Sequence, residues 1–216
     1  MIKIENTEVV GWEHAIRGMR NPMNSWAKSD SYWGMVEDPS PINPNDWSYI
    51  ILGDNDLDLM KRLRNAGTDH RKFMRMLTVY VDITAPLYWW KEFDTYKVGT
   101  VANSCSTMHK IHAKEFTLDD FSHEHLTDYN REWILRTVII NQLNKEREYF
   151  LDSKDKDEWW QMIQLLPSSY NQKRTVMLNY EVLTNIYKSR KNHKLDEWHE
   201  LCHWIEGLPY SELITE

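Results

Sequence analysis

The spacing of apolar residues along the chain predicts a few strands among many helices. From Leu77 to Thr84 every second residue is apolar, which predicts a strand with one buried face. Weaker strand patterns cover residues 3–10 and 174–178. Helical spacing, capping residues and Gly or Pro stops predict helices over residues 12–19, 55–66, 87–97, 130–149, 157–166, 179–190 and 196–206. This order predicts an α+β fold, with one small sheet and a single domain over residues 1–216.

Two segments show neither the alternation of a strand nor the apolar spacing of a helix. Residues 21–45 contain four prolines and predict an irregular loop. Residues 99–107 are small and polar, and they predict a turn. Inside the loop, the stretch SWAKSDSYWGM at 25–35 mixes polar and aromatic residues. It fits a loop that covers a ligand and equally a plain surface loop.

Composition and charge narrow the possible partners. The net charge of −7 disfavours binding to nucleic acid, so a nucleotide would need a local basic pocket. Cys105 and Cys202 form no disulfide framework, and the N-terminus has no signal pattern; we therefore expect a cytoplasmic protein. No apolar run is long enough for a membrane span. Eleven Trp and eleven Tyr favour an aromatic core or a subunit interface, and hence an oligomer.

The helix predicted over 179–190 carries an unusual stripe. Asn179, Leu183, Ile186 and Arg190 are spaced by four, three and four residues, so they share one face. A buried Arg190 needs an anionic partner, which is either a carboxylate or a ligand. The alternative is an exposed arginine favoured by the helix dipole.

Four blocks in order give the chain a family resemblance. They are NDLDLMKRLRNAG at 55–67 followed by TDHRKF, then Ala85-Pro86 before a helix, then Leu166-Pro167, and last the pattern Asn179, Leu183, Asn185, Arg190. From about residue 51 to residue 213 the chain resembles the flavin-dependent thymidylate synthases. The resemblance implies the thymidylate synthase-complementing-protein fold, with a small mixed or antiparallel sheet packed against helices. It also implies a homotetramer with sites shared between subunits.

The activity that this resemblance implies is transfer of a one-carbon unit to C5 of dUMP or a related nucleotide. FAD is the implied cofactor, and methylenetetrahydrofolate and NADPH are the implied co-substrates. The family signature itself is altered. Its Arg-His-Arg triplet falls on Thr95, Tyr96 and Lys97, and its serine falls on Cys105. The Arg-Tyr pair becomes Thr107 and Met108, the preceding glutamine becomes Glu92, and a phosphate-binding arginine becomes Ile163.

Carried over position by position, the resemblance implies a set of site residues. Those expected near the cofactor are Lys97, Tyr96, His70, Asn179 and Asn185. Those expected near the nucleotide are Glu92, Ser104, Ser106, Thr107 and Arg190, of which Arg190 polarises the pyrimidine.

Cys105 and the aromatic run at residues 88–90 each allow a functional and a structural interpretation. The Cys105 thiol is a candidate nucleophile toward the ring, and otherwise a small buried thiol. The aromatic run at residues 88–90 would stack on a ligand or fill the core.

Two other functions remain open at this stage. A non-catalytic homologue would keep the fold for nucleotide binding or assembly. A zinc hydrolase would use the pattern His199, Glu200, His203, in which the two histidines share one helix face. The usual third zinc ligand has no counterpart in the few residues that follow, and we assign no metal ligands.

Overall fold

A computed structural model describes residues 2–35, 48–126 and 129–216. The chain forms two compact units. The first unit comprises residues 2–3, 83–95 and 103–174, and the second unit comprises residues 4–82, 96–102 and 175–216. Within the described residues, no helix is both long and apolar enough to cross a bilayer.

In the described residues, six strands form two sheets. The strands are β1 (Lys3–Val10), β2 (Tyr32–Met35), β3 (Ser48–Ile51), β4 (Thr78–Pro86), β5 (Val101–Ser104) and β6 (Asn171–Asn179). The larger sheet has the order β1-β4-β6-β5, and β2 pairs with β3 in antiparallel register, with Tyr32 opposite Ile51. The predicted class, helices with a small sheet, is confirmed.

Helices make up most of the rest. They are α1 (Trp12–Arg20), α2 (Asp54–Asn65), α3 (Leu87–Phe93), α4 (Tyr129–Trp133), α5 (Asn141–Ser153), α6 (Lys156–Leu165), α7 (Tyr180–Arg190), α8 (Asp196–Glu206) and α9 (Glu212–Thr215). A π-helical segment, Ile134–Ile140, joins α4 to α5. Short 3-10 helices occur at Asn21–Met23, Trp26–Lys28, Arg71–Arg75 and Leu118–Asp120.

Side chains along β4 alternate between buried and more exposed positions, as the sequence pattern predicts. Val79, Val81 and Ile83 are at most 1% exposed, whereas Tyr80 between them is exposed. Strand side chains point alternately to the two faces of a sheet, so one face of β4 faces the core and the other does not.

Three predictions about local structure were wrong. The helix predicted over 87–97 ends at Phe93, because the backbone N–H and the hydroxyl of Thr95 both donate to the Glu92 carbonyl, at 3.1 and 2.7 Å. Residues 101–104 form β5 and not a turn, and residues 32–35 form β2 inside the predicted loop. Positions 36–45 of that loop lie outside the described residues.

Each unit has an apolar core of its own. In the first unit, Ile111, Phe116, Phe121, Leu135, Ile140, Leu143 and Met162 form one buried cluster. In the second unit, α7 is anchored by Tyr180, whose hydroxyl donates to the Pro209 carbonyl at 2.5 Å and whose N–H donates to the Leu77 carbonyl at 3.1 Å. These two bonds fix the start of the helix that carries Arg190.

Candidate functional site

Arg190 lies in an aromatic setting at the C-terminal end of α7. Its guanidinium carbon is 4.5 Å from the centre of the Trp198 ring and 5.6 Å from that of Tyr96. Its Nε donates to the Tyr96 hydroxyl at 2.9 Å. Trp198 is fully buried and also meets His193 edge-on, with ring centres 6.1 Å apart. Stacking on aromatic faces holds a guanidinium in a fixed plane.

The segment that contains Tyr96 and Lys97 passes close to the start of α7. Gly99 has a φ of 78°, and a Cβ at this position would lie 3.1 Å from Nδ2 of Asn179. Asn179 is the N-cap of α7, and its Oδ1 accepts from the Val182 N–H at 3.1 Å. Residues 96–99 therefore lie beside α7: Tyr96 is hydrogen-bonded to Arg190 at the end of the helix, and Gly99 lies close to Asn179 at its start.

The predicted cofactor residues all lie in the second unit, and the structure brings only some of them together. Tyr96 contacts Arg190, and Asn179 approaches Gly99, as described above. The side chains of Lys97, His70 and Asn185 are exposed. Their roles stay predictions.

The predicted substrate residues other than Arg190 lie in the first unit, where most of them form one turn. Ser104 ends β5, and Ser106 Oγ accepts from the backbone N–H groups of Met108 and His109, at 3.1 and 2.9 Å. Because those bonds use only the acceptor side of the Ser106 hydroxyl, its proton remains available to a ligand. Thr107 is half-buried in the same turn. Glu92 belongs to a different element, the last turn of α3.

Cys105 is pinned through its backbone and not through its side chain. Its N–H donates to the Lys173 carbonyl at 2.9 Å, and its carbonyl accepts from Nε2 of Gln172 at 2.7 Å. The thiol is exposed, so the interpretation as a small buried thiol is wrong. Its role as a nucleophile stays a prediction.

The aromatic run after Pro86 belongs mainly to the core. Trp89 and Trp90 are buried, and Trp90 donates to the Gln172 carbonyl at 2.9 Å. The guanidinium of Arg174 lies 4.1 Å from the centre of the Trp90 ring and pairs with Asp94 at 2.7 Å. These contacts support the core interpretation of the two tryptophans.

A cavity that we call the basic cavity opens beside the 104–109 turn. It has a volume of about 340 Å³, lies within the first unit, and is lined by His109, His112, Phe150, Lys154, Lys156 and Trp159. Trp159 is held in place because its Nε1 donates to the Met108 carbonyl at 3.1 Å. Two lysines and two histidines beside aromatic rings can bind an anion attached to a planar group.

His112 reports the electrostatics of the basic cavity. Burial lowers the pKa of its imidazole, and Lys110, Lys154 and Arg147 lower that pKa further. Its Nδ1 is buried and, among the described residues, has no hydrogen-bond partner. A surplus of positive charge at a half-buried imidazole favours an anionic ligand there.

Sequence reasoning missed this cavity as a candidate site. The spacing His109-x-x-His112 was visible, but Lys154, Lys156 and Trp159 lie about forty residues further along the chain. These residues line one cavity only because the segment after Cys105 folds against α5 and α6.

A second cluster of charged residues surrounds Glu181, and none of its members was predicted as a site residue. Its carboxylate accepts from Arg71 Nε at 3.0 Å and also pairs with Arg75. Burial raises the pKa of Glu181, but hydrogen bonds from Arg75 and Arg71 outweigh burial and leave it lowered. The pairing fixes the 3-10 helix after His70 to the first turn of α7, so its role is structural.

The candidate zinc pattern lies on the surface of α8. His203 is 88% exposed, and its Nδ1 is 3.6 Å from Glu206; His199 is 3.9 Å from Asp196. In the part of the chain that the structure describes, no three His, Cys, Asp or Glu side chains converge as metal ligands.

Comparison with solved structures places this fold. The flavin-dependent thymidylate synthase ThyX from Helicobacter pylori, complexed with FAD and dUMP, matches with a TM-score of 0.68 at 15% identity, over 98% of this chain and 97% of that one. The fold is that of ThyX. A second structure of ThyX from that organism, also with FAD and dUMP, gives a TM-score of 0.68 at 16% identity, over 100% and 97% of the two chains.

The UMP/dUMP methylase PolB from Streptomyces cacaoi, bound with 5-Br dUMP, has a related structure. It matches with a TM-score of 0.62 at 14% identity, over 100% of this chain and 95% of that one. No protein-family model and no curated protein sequence matches this chain. The ThyX-like fold is therefore clear from structure, while the sequence identity to these neighbours is only 14–16%.

Proposed function

We propose that this protein binds a pyrimidine nucleotide and FAD on its ThyX-like fold, and transfers a one-carbon unit to C5 of dUMP or a related nucleotide. The observation that carries the nucleotide part is the basic cavity beside the hydroxyl-rich 104–107 turn. A chain with a net charge of −7 needs such a local basic site to hold a phosphate.

The phosphate would be held by groups that differ from those of the family signature. The positions of two family arginines are Thr107 and Ile163 here, so cationic side chains at the C-cap of α5 and the start of α6 take their place. Lys154 and Lys156 supply the charge, and the Ser106 hydroxyl donates a hydrogen bond. Trp159 offers a fixed ring next to them.

In the homotetramer that we expect, with sites shared between subunits, Arg190 would polarise the pyrimidine. Its guanidinium lies over the Trp198 ring and donates to the Tyr96 hydroxyl, and a planar donor in a fixed orientation stabilises charge that develops on a ring carbonyl. When bound, FAD supplies the reducing equivalents for this chemistry, and methylenetetrahydrofolate supplies the carbon. Lys97, Tyr96, His70, Asn179 and Asn185 are the residues we assign to the cofactor, and NADPH would reduce it.

A specific observation favours a second candidate, a nucleotide-binding homologue without turnover. The Arg-His-Arg triplet is replaced by residues 95–97, and the hydroxyl of Tyr96 is already bonded to Arg190. Incubation with FAD followed by gel filtration separates the two. A retained yellow flavin band and loss of tritium from C5 of labelled dUMP support the enzyme, whereas dUMP binding without flavin supports the homologue. Failure of both ligands to bind contradicts both.

Replacing two lysines of the basic cavity should weaken phosphate recognition. The variant Lys154→Gln/Lys156→Gln removes two charge-assisted contacts, and we expect dUMP to bind at least about tenfold more weakly. Isothermal titration measures this, with Lys145→Gln, an exposed lysine on α5 outside the cavity lining, as the control. Deoxyuridine lacks the phosphate and should bind the variant and the wild type equally. An equal loss in the control would contradict the assignment.

Phosphate in the basic cavity should also raise the pKa of His112. In the free protein, burial and three cations hold this pKa below its usual value. A bound anion favours the protonated imidazole, so the pKa of His112 should be higher in the dUMP complex than in the free protein. The C2 proton of His112, followed by NMR across pH with and without dUMP, measures the shift. An unchanged pKa in saturating dUMP would place the phosphate elsewhere.

Removing Arg190 tests the contact with the pyrimidine. Arg190→Ala should weaken both dUMP and deoxyuridine binding by about tenfold or more, because a charged donor to the ring is lost. Lys188→Ala, an exposed lysine on the same helix, is the matched control. Unchanged affinity for deoxyuridine in Arg190→Ala would leave Arg190 with a structural role only.

A further inference from the structure

A second cavity, which we call the aromatic cavity, lies entirely within the second unit, between α1 and the segment that leads into β2. Its volume is about 300 Å³. It is lined by Glu13, Ile16, Arg17, Arg20, Trp26, Ser29, Ser31, Tyr32, Trp33 and Ile50. The first four residues occupy one face of α1. The volume suits a ligand of one or two fused rings.

The deepest charged group in the lining has an unused donor. Arg20 is 4% exposed; its Nε donates to Asp56 at 2.6 Å and its Nη1 donates to the Ser25 carbonyl at 3.3 Å. Its Nη2 is buried and has no hydrogen-bond partner in the described part of the chain. Buried donors are almost always satisfied, so this donor has the capacity to bind one further acceptor atom.

The loop beneath the aromatic cavity is rigidly held. The hydroxyls of Ser29 and Ser31 both donate to Asp56 Oδ2 at 2.7 Å, so they are not available as donors to a ligand. The Asp30 carboxylate accepts from the N–H groups of Asn55 and Asp56, at 3.0 and 3.1 Å, at the start of α2. Gly53 is required here, because a Cβ would lie 2.1 Å from Asp30 Cγ. The floor is therefore formed before any ligand binds.

Three large aromatic side chains form the walls and stay about half exposed. The relative exposures of Trp26, Tyr32 and Trp33 are 49%, 59% and 48%. Trp26 Nε1 donates to Asn21 at 2.9 Å and Trp33 Nε1 donates to Glu13 at 2.6 Å, so both indoles are oriented. Oriented aromatic rings left open to solvent around a cavity are typical of a binding site for a flat ring.

We propose that the aromatic cavity binds a planar aromatic ring that carries a carboxylate or a ring carbonyl. The ligand oxygen accepts from Arg20 Nη2, and the ring lies against the walls formed by Trp26, Tyr32 and Trp33. Arg17 adds a second positive charge to the lining, whereas the single lining carboxylate, Glu13, is bonded to Trp33. The lining therefore favours an anion over a cation. This site does not depend on the proposed nucleotide function.

Three small probes separate the parts of this proposal. Saturation-transfer NMR with the full chain compares benzoate, benzylamine and cyclohexanecarboxylate. Benzoate combines the ring and the carboxylate, benzylamine reverses the charge, and cyclohexanecarboxylate lacks the aromatic ring. We expect benzoate to bind at millimolar concentration, and the other two to bind at least about fivefold more weakly, because each loses either the charge contact or the stacking.

Variants then locate the binding. Trp26→Leu and Arg17→Gln should each weaken benzoate binding severalfold and leave dUMP binding unchanged. Trp160→Leu removes a comparably exposed tryptophan of the first unit and should change neither. The proposal is overturned if benzoate does not bind, if the three probes bind equally, or if Trp160→Leu matches Trp26→Leu. Preference for benzylamine would show a cation site on the indole faces and would overturn it equally.

Discussion

Replacement of Asp56 by alanine should lower the free energy of unfolding by about 3–5 kcal/mol, because it leaves the buried guanidinium of Arg20 without its counter-charge. Asp56 is fully buried and accepts hydrogen bonds from Arg20, Ser29 and Ser31. The same change removes the hydrogen bonds that Ser29 and Ser31 make to α2, and leaves those that the Asp30 carboxylate accepts from its first turn. Urea unfolding followed by tryptophan fluorescence measures the loss.

Asp58 gives the matched control on the same helix. It pairs with Arg62 at 2.9 Å, but both side chains are 68% exposed, and a surface pair contributes less than about 1 kcal/mol. Asp58→Ala should therefore unfold nearly where the wild type does. If the two alanine variants lost the same stability, the buried pair would not be the element that holds this loop.

The contribution of Asp56 should also vanish in acid. Burial raises the pKa of this carboxyl, but hydrogen bonds from Ser31, Ser29 and Arg20 outweigh burial, and the folded-state pKa lies below its usual value. A lowered folded pKa means that the stabilisation is fully present above the unfolded-state pKa of about 3.9 and is lost as the pH falls below it. The stability difference between wild type and Asp56→Ala should therefore shrink below about pH 4. A constant difference down to strongly acid pH would rule out this titration.

The elements that the sequence predicted well are those with local signals. Strand β4 follows from strict alternation, and α8 follows from its acidic first turn and the Gly207 stop, so both need no distant partner to be recognised. Strand β5 was missed because its four residues are all exposed and do not alternate; it is a strand through its pairing with β6, about 70 residues further along the chain.

The candidate sites also combine residues that local sequence signals identify with residues that only the fold brings together. Arg190 was singled out from the spacing of one helix, which is local information. Its aromatic partner Tyr96 lies 94 residues away, and the basic cavity joins residues from 109 to 159. The unused donor of Arg20 depends on how Asp56 and the Ser25 carbonyl occupy the other guanidinium nitrogens, and no sequence pattern specifies that.

Trp198 should link stability to ligand binding in the second unit. Its ring is fully buried and meets Tyr96, His193 and the guanidinium of Arg190. Trp198→Ala removes that surface, and we expect a loss of about 3–5 kcal/mol in the free energy of unfolding. Trp198→Phe keeps part of the ring and should lose less.

The effect of Trp198 on binding should follow from Arg190. Without the indole face, the guanidinium loses the ring that it lies against. A donor that must be ordered on binding contributes less affinity. The folded Trp198→Ala protein should therefore bind deoxyuridine more weakly than Trp198→Phe does. Trp160→Ala, an exposed tryptophan of the first unit, serves as the control for both measurements. Urea unfolding and titration with deoxyuridine test the two effects separately. A destabilised Trp198→Ala protein with unchanged deoxyuridine affinity would confine Trp198 to the core and leave the orientation of Arg190 without a part in recognition.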